Sequence, residues 1–562
     1  RSMLYTAPEP ASLVKAHALE AGPTIVPPKW AFHHWYWRNN HYNRDTYYDG
    51  TPVNAPYNSM LVEDVLMMQA LDVPCSVYWV DRPWAAGPFG YDDFEWDRER
   101  LPNPAEMVDW VHQKGMKFLL WTAPWVMGDM AQEAIKQEYL LPSQMMTAIG
   151  ITDASQVNDL AFLRGEFTRH AISTIEQLRG FILRNFAENL LDREIPRDDQ
   201  AALQRARDDL IAVVRNAESL SDYHELILQF SGSRILVDFT NPDARSWWQN
   251  QGLRKVLEDG VDGFKMDRSE EIVPQSRDVV AHDGRTTREL RNDYPVEYLK
   301  SAYEIAEEIH GDDFALMPRA GYTGSPQYGV FWGGDIAPPA EGLRTAIIAQ
   351  LRSAVNGYPI WGSDTGGYDD PDDREVVARW LAFSCFSPIM EVGPLDDRGL
   401  WDFPTEPHYD TELIAIWRTY AILHTNLADY SYAHARTAHE TGMPIVRPLF
   451  LEYPEQREAW NNWQTYLYGG DILVSPIWRQ GTTEHSLYLP AGERWINAWN
   501  TDEVLSGGQT VTVETPLYKI PIFIRRGSDI DLGDLQGLYD ESLSIAKERP
   551  DLKQLEAMEF RQ

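Results

Sequence analysis

The chain is poor in cysteine, in positive charge and in long apolar runs, and each shortage removes a class of protein. Its 562 residues include two cysteines, Cys75 and Cys385. Each sits in an apolar run that reads as a barrel strand, so buried free thiols are expected rather than a disulfide or metal site. That reading leaves the compartment open. His33 and His34 are adjacent, but no His-x-x-x-His or cysteine pair completes a ligand cage, so no metal and no cofactor is assigned. With 50 Lys and Arg against 85 Asp and Glu, the formal charge of −35 argues against nucleic acid and anionic membrane as partners, since both require a basic surface. A neutral substrate loses nothing by it. No run of 18 apolar residues is present to span a bilayer. Arg1-Ser2-Met3-Leu4 does not read as a signal peptide. There is no Asn-x-Ser/Thr glycosylation acceptor, no internal repeat and no low-complexity segment. Localisation and oligomeric state remain without an expectation.

What is present is alternation. From about residue 30 to 420 short apolar runs alternate with helical patterns: Trp30 to Trp35, Cys75 to Val80, Lys117 to Trp121, Val261 to Asp267, Phe314 to Met317, Val330 to Trp332, Tyr358 to Trp361 and Phe386 to Met390. Eight strands with intervening helices predict an α/β fold, a (β/α)8 TIM barrel over residues 1–430. Polar residues follow several of these runs: Asp81, Asp267, Arg319, Asp335, Asp364 and Glu391. In a barrel of this kind the carboxyl ends of the strands form the active face.

Residues 128–232 break the rhythm with Gln, Glu, Arg, Ala and Leu at helical spacing, as in Gln200 to Ile211, and predict a helical insertion after strand 3. It serves as surface decoration or as a lid or interface element. Residues 431–530 change texture to short strands parted by Gly, Pro and Asn, which predicts a C-terminal antiparallel, sandwich-like β domain. Residues 531–562 read as a polar helical tail.

The chemistry resides in two strand-end acids. The apolar run to Asp267 and the run Val330 to Asp335 each deliver a carboxylate to the active face, 68 positions apart. Two such acids are what glycosidic cleavage needs, one to attack the anomeric carbon and one to protonate the departing oxygen, provided their environments separate their pKa values. Lys265 and Arg319 are expected to keep one carboxylate ionised, and the surroundings of Phe331 and Trp332 to raise the pKa of the other. Two unrelated strand-end aspartates pairing with arginine are the structural alternative.

Taken together, Ile25 to Trp30, the Asp267 segment, Arg319 to Asp335, Trp361 to Tyr368, Arg447 to Phe450 and Gly470 to Pro476 resemble glycoside hydrolase family 31, the family of α-glucosidases, α-xylosidases and α-galactosidases. The similarity runs from Tyr5 to about Arg526. The resemblance implies a retaining exo-acting α-glycosidase without cofactor, with Asp267 as nucleophile and Asp335 as general acid and base. Asp81, Arg319, Trp332 and Asp364 match positions that grip the non-reducing sugar, and Lys265 is placed beside them in the pocket. The rival readings are an α-transglycosylase on the same fold, in which an acceptor sugar replaces water, and a non-catalytic carbohydrate-binding protein.

Two departures bear on specificity. Lys265 stands where many α-glucosidase relatives carry tryptophan, and the family's Arg-x-His sugar contact is not visible in the segment from Glu391 to Trp401. Tyr5 to Pro10 matches the segment just after the family's N-terminal β-sandwich, so the chain is expected to be truncated, processed or a minimal member.

Overall fold

The computed structural model describes residues 4–560 except 88–89, 92, 144–145, 148–149, 174–211, 213–215, 231–233, 271–275, 369–370, 394–397 and 406–407. Eight barrel strands appear among these residues: β1 (His34–Arg38), β2 (Val77–Val80), β3 (Lys117–Thr122), β4 (Gly263–Met266), β5 (Ala315–Pro318), β6 (Phe331–Trp332), β7 in two pieces (Trp361–Gly362 and Asp364–Thr365) and β8 (Met390–Val392). One parallel sheet runs β7-β8-β1-β2-β3-β4-β5, and β6 pairs in parallel with the first piece of β7. The Val330 amide, which donates to Leu316 O at 2.9 Å, joins β5 to β6 and completes the ring. The strands are buried on both faces, the rule for a parallel sheet wrapped by helices.

Gly263 opens β4 at φ 151°, and a Cβ there would lie 1.9 Å from Ala315 O. Only glycine lets β5 approach this closely, and that approach sets Asp267 beside Arg319.

Three strands lie further along the chain than their apolar runs suggest. Pro27 and Pro28 lead into a 3-10 turn, Lys29–Phe32, closed by the Ala31 amide on Pro28 O, so the first strand starts only at His34. The Tyr358 amide is held by Ser353 O at a helix end, which delays β7. Phe386 and Ser387 close turns on Phe383 and Ser384 carbonyls, and Pro388 has no donor, which delays β8. In consequence neither cysteine is on a strand: Cys75 precedes β2, and Cys385 caps the helix Arg374–Ser384. Both are free, Cys385 buried and Cys75 half-buried. Barrel helices include Ser59–Ala70, Pro104–Gln113, Tyr294–His310, Ala340–Val355, Arg374–Ser384 and Thr411–Asn426, whereas β5 and β6 are joined through the short turn Ser325–Gln327.

Of residues 128–232, expected as a helical insertion, 144–145, 148–149, 174–211, 213–215 and 231–232 lie outside the described residues. The described part holds helices Gly128–Lys136, Leu160–Ser173 and Leu220–Phe230, which bury Leu163, Phe167, Tyr223, Leu226 and Ile227. A small antiparallel sheet of Trp125–Val126, Leu140–Leu141 and Ile235–Val237 straddles its two ends, unsignalled by periodicity because strands of two or three residues carry no period.

Beyond the barrel, a six-stranded antiparallel sheet built on Val446–Pro448, Tyr466–Tyr468, Ile472–Val474, Arg494–Asn497, Asn500–Ser506 and Ile522–Arg525 faces a two-stranded antiparallel sheet, Glu484–Leu489 with Gln509–Glu514, across Leu449, Leu467, Leu473, Leu487, Leu489, Trp495 and Phe523. The last helices, Leu535–Ala546 and Leu552–Glu559, dock on the barrel. The buried Glu556 carboxylate accepts from the Tyr47 hydroxyl and from the Asn54 and Ala55 amides, and Arg418 reaches Glu541 at 3.0 Å. No helix among the described residues is long and apolar enough to cross a membrane.

Candidate active site

Backbone hydrogen bonds fix the two elements that carry the first acid. The Asp267 amide donates to Thr122 O and the Arg319 amide to Met266 O, both at 2.9 Å, so β3, β4 and β5 end in register. The chain then turns sharply: Arg268 and Ser269 are both left-handed, at φ 65° and 75°. Two consecutive non-glycine residues in that region are uncommon and cluster at functional sites. The turn lets the Arg268 amide donate to Asp267 Oδ1 at 2.7 Å. Asp335 follows Gly334, whose φ of 71° and 2.9 Å clearance from Arg319 Cδ leave no room for a side chain.

Arg319 joins the two acids. Its Nη1 lies 2.7 Å from Asp267 Oδ1 and 3.5 Å from Asp335 Oδ1, while Nη2 pairs with Glu270 at 2.6 Å. Oxygens that share one nitrogen can be no further apart than those two contacts laid end to end, about 6.2 Å. A cavity of about 580 Å³ opens against this group, lined by Arg268, Glu270, Arg291, Arg319, Gly334 and Asp335 among others. The site's second arginine, Arg268, lies 3.6 Å from Asp267 Oδ2 and over the ring of Trp125, at the base of the insertion.

The electrostatic expectation is corrected on two counts. Asp267 is the buried acid, at 7% exposure, whereas the Asp335 side chain is 44% exposed and Trp332 does not enclose it. Burial raises the pKa of Asp267 and the Asp335 charge adds to this, against the lowering pull of Arg319 and Arg268. A proton on Asp335 therefore eases ionisation of Asp267, the coupling a nucleophile and acid pair uses. Nor does Lys265 hold Asp267. Its ammonium lies 2.7 Å from Asp364 Oδ1 and 3.2 Å from Glu391 Oε2, with the rings of Trp37, Trp79 and Trp332 at 4.5, 4.2 and 4.5 Å.

That cluster forms the floor of the barrel mouth, and all of it is buried. The pKa of Lys265 is raised, because Asp364, Glu391 and Asp81 together outweigh the burial that would lower it. Those of Asp364 and Glu391 are raised too, by burial first, Asp364 to about 7. Pairing alone would lower the acids. They rise because burial outweighs the pull of the one ammonium they share. Asp81 is also buried and raised, with Oδ1 accepting from the Arg82 amide at 2.6 Å. The Trp332 indole N–H is buried without an acceptor among the described residues.

Thus the chain brings Asp267, Arg319 and Asp335 together, and joins Lys265, Trp332 and Asp364 in an adjoining cluster whose charge reaches Asp81. Sequence reasoning passed over Trp37, Trp79, Arg268 and Glu270. Two of these follow Asp267 within three positions, a signal that was available. The tryptophans sit inside β1 and β2, where an aromatic reads as core.

A parallel barrel with an arginine-bridged pair of acids at the carboxyl ends of its strands defines a class, the barrel enzymes that work with two carboxylates. The chain belongs to glycosyl hydrolase family 31: the family's TIM-barrel domain matches residues 24–168 and 189–434, and its C-terminal domain matches residues 442–530. It is 27% identical over 92% of its length to an isomaltosyltransferase of Sporosarcina globispora, covering 42% of that protein. It is 34% identical to a 1,3-alpha-isomaltosidase of Kribbella flavida over 52% of this chain and 40% of that one. The chain thus spans less than half the length of these relatives. Its fold is that of a Flavobacterium johnsoniae dextranase solved with glucose, at a TM-score of 0.68 and 24% identity over 93% of this chain and 55% of that one.

Proposed function

We propose that this chain is the catalytic part of a retaining exo-α-glycosidase that removes terminal α-linked sugars without a cofactor. The observation that carries the reading is the arginine bridge between Asp267 and Asp335. A closest oxygen approach of no more than about 6.2 Å accommodates the retaining separation of about 5–5.5 Å and lies far from the upper inverting separation of about 9.5 Å.

In this mechanism ionised Asp267 attacks the anomeric carbon while protonated Asp335 gives its proton to the glycosidic oxygen, which departs with the bond's electron pair. A glycosyl ester on Asp267 results. Asp335, now a carboxylate, takes a proton from water as that water attacks the same carbon, and Asp267 leaves as carboxylate. Arg319 orients the nucleophile and stabilises its charge. The vacant Trp332 N–H, together with Asp81 and Asp364, supplies hydrogen bonds to sugar hydroxyls. Lys265 pairs with Asp364 and Glu391, so its role is to hold those carboxyl groups in place.

The reading is tested with 4-nitrophenyl α-glycosides of glucose, xylose, galactose and N-acetylgalactosamine, following the preferred substrate by proton NMR. The α-anomer of the free sugar is expected to appear first and then mutarotate. First appearance of the β-anomer would overturn retention, and no release from any α-glycoside would overturn the function. Added oligosaccharide separates the transferase outcome, because an acceptor then competes with water for the glycosyl ester.

A further inference from the structure

We propose a second carbohydrate-binding site, separate from the cavity at the catalytic pair, where Trp463 and Trp478 of the C-terminal module meet Arg344 of the barrel. A cavity of about 390 Å³ is lined there by Trp463, Gln464, Trp478, Arg479, Glu484 and His485, a volume within the usual range for small-ligand pockets. Trp463 is 38% exposed in a chain that buries most of its tryptophans completely or nearly so. The two indoles stand 6.3 Å apart at an angle of 52°, with the Arg344 guanidinium 5.1 Å and 5.6 Å from their centres. Arg479 stacks on Trp478 at 4.9 Å. Neither arginine has a carboxylate partner among the described residues.

This composition matches one kind of ligand. A sugar ring has an apolar face of C–H groups and an edge of hydroxyls. Exposed indole takes the first, and planar Arg, Gln and Glu side chains take the second, since together they donate and accept. An arginine stacked on an indole keeps its N–H edge free for a hydroxyl. His485 is a neutral member of the wall, its pKa lowered by burial and by Arg379, with Nε2 2.9 Å from Ser475 Oγ. Close by in sequence, Trp460 is 53% exposed and lies flat on Phe450, ring centres 4.8 Å apart, which leaves its other face open. Trp460 and Trp463 are three residues apart, within about 11 Å along the chain, so the aromatic platform extends beyond the cavity.

Its placement gives it a use. Arg344 lies early in the helix Ala340–Val355, which follows β6 and Asp335. The loop after Trp478 is fastened to the start of the helix Arg374–Ser384, which follows β7: Gln480 donates to Asp373 and the Gly481 amide to Glu375 at 3.0 Å. Helices of a (β/α)8 barrel begin at the face where its strands end. The platform therefore borders the catalytic face on the β6 and β7 side, where it holds one part of a long α-glucan and raises the effective concentration of its ends at the catalytic pair. The choice of α-glucan rests on the α-glycosidase function proposed above and on the relatives named as an isomaltosyltransferase and a 1,3-alpha-isomaltosidase.

Native electrophoresis of the whole chain in gels containing soluble dextran or soluble starch tests the site. It is run on an Asp267→Asn background, so that retardation reads binding rather than turnover and stands whether or not the chain is a glycosidase. The parent is expected to be retarded by at least one glucan, and Trp463→Ala/Trp478→Ala to weaken that binding about tenfold. With Asp267 restored, the double variant keeps its kinetics on a nitrophenyl glycoside within about twofold. Arg479→Ala, an exposed substitution, serves if the double variant does not fold, and is expected to weaken binding in the same direction. No retardation of the parent by either glucan, or equal retardation of parent and folded variant, would overturn the proposal.

Discussion

Asp267→Ala is expected to lower kcat/KM on the preferred nitrophenyl α-glycoside by about 10⁴-fold or more, since it removes the group that forms the covalent intermediate. Asp335→Ala is expected to lose less on this substrate, because nitrophenolate departs without a proton, and to accumulate the glycosyl ester whose hydrolysis needs a base. Azide then separates the two roles. Added to Asp335→Ala it attacks the ester on Asp267, restores turnover and yields a glycosyl azide of retained configuration. Added to Asp267→Ala it can only displace nitrophenolate directly, and any product is inverted. A retained azide from Asp267→Ala, or an inverted one from Asp335→Ala, would mean that the roles are exchanged.

The second large effect is expected from Lys265→Met. This substitution removes the single ammonium that Asp364 and Glu391 share inside a cage of three indoles. Breaking a buried ion pair by deleting one partner costs about 3–5 kcal/mol, because the remaining charges stay buried. The melting temperature at pH 8 should fall by roughly 3–4 °C. The sign of the pH dependence follows from the acids. Their folded pKa values are raised above those of the unfolded chain, so the folded state holds their protons more tightly and loses stability as pH rises from about 4 toward 7. Losing Lys265 widens that gap, so the deficit should be larger at pH 8 than at pH 5, and Glu391→Gln added to Lys265→Met should recover part of it. A variant that melts within about 1 °C of the parent at both pH values would show that the ammonium does not hold this floor together.

Much of the site could be read from the chain because strand ends advertise themselves: an apolar run closing on a polar residue marks both the strand and the face it serves, as with Met266 before Asp267. Partnership across the barrel is less legible. Lys265 sits two positions before Asp267, and period-2 alternation puts both on one side of the strand, yet the ammonium meets Asp364 and Glu391, 99 and 126 positions away. The relative burial of Asp267 and Asp335 was also misjudged. It depends on what packs over each strand end, and the left-handed turn at Arg268 and Ser269 that seats Asp267 has no glycine to announce it. Strand starts were misplaced at β1, β7 and β8 for a local reason, since proline and helix-end turns consume the first residues of an apolar run.

Double displacement requires a covalent bond between Asp267 and the sugar. It is tested most directly by incubating the enzyme with the 5-fluoro α-glycosyl fluoride of its preferred sugar, then locating the added mass in peptic fragments by tandem mass spectrometry. A single adduct is expected on the fragment containing Asp267, lost on prolonged incubation as activity returns. An adduct on Asp335, or turnover to a β-anomer with no adduct at all, would contradict it.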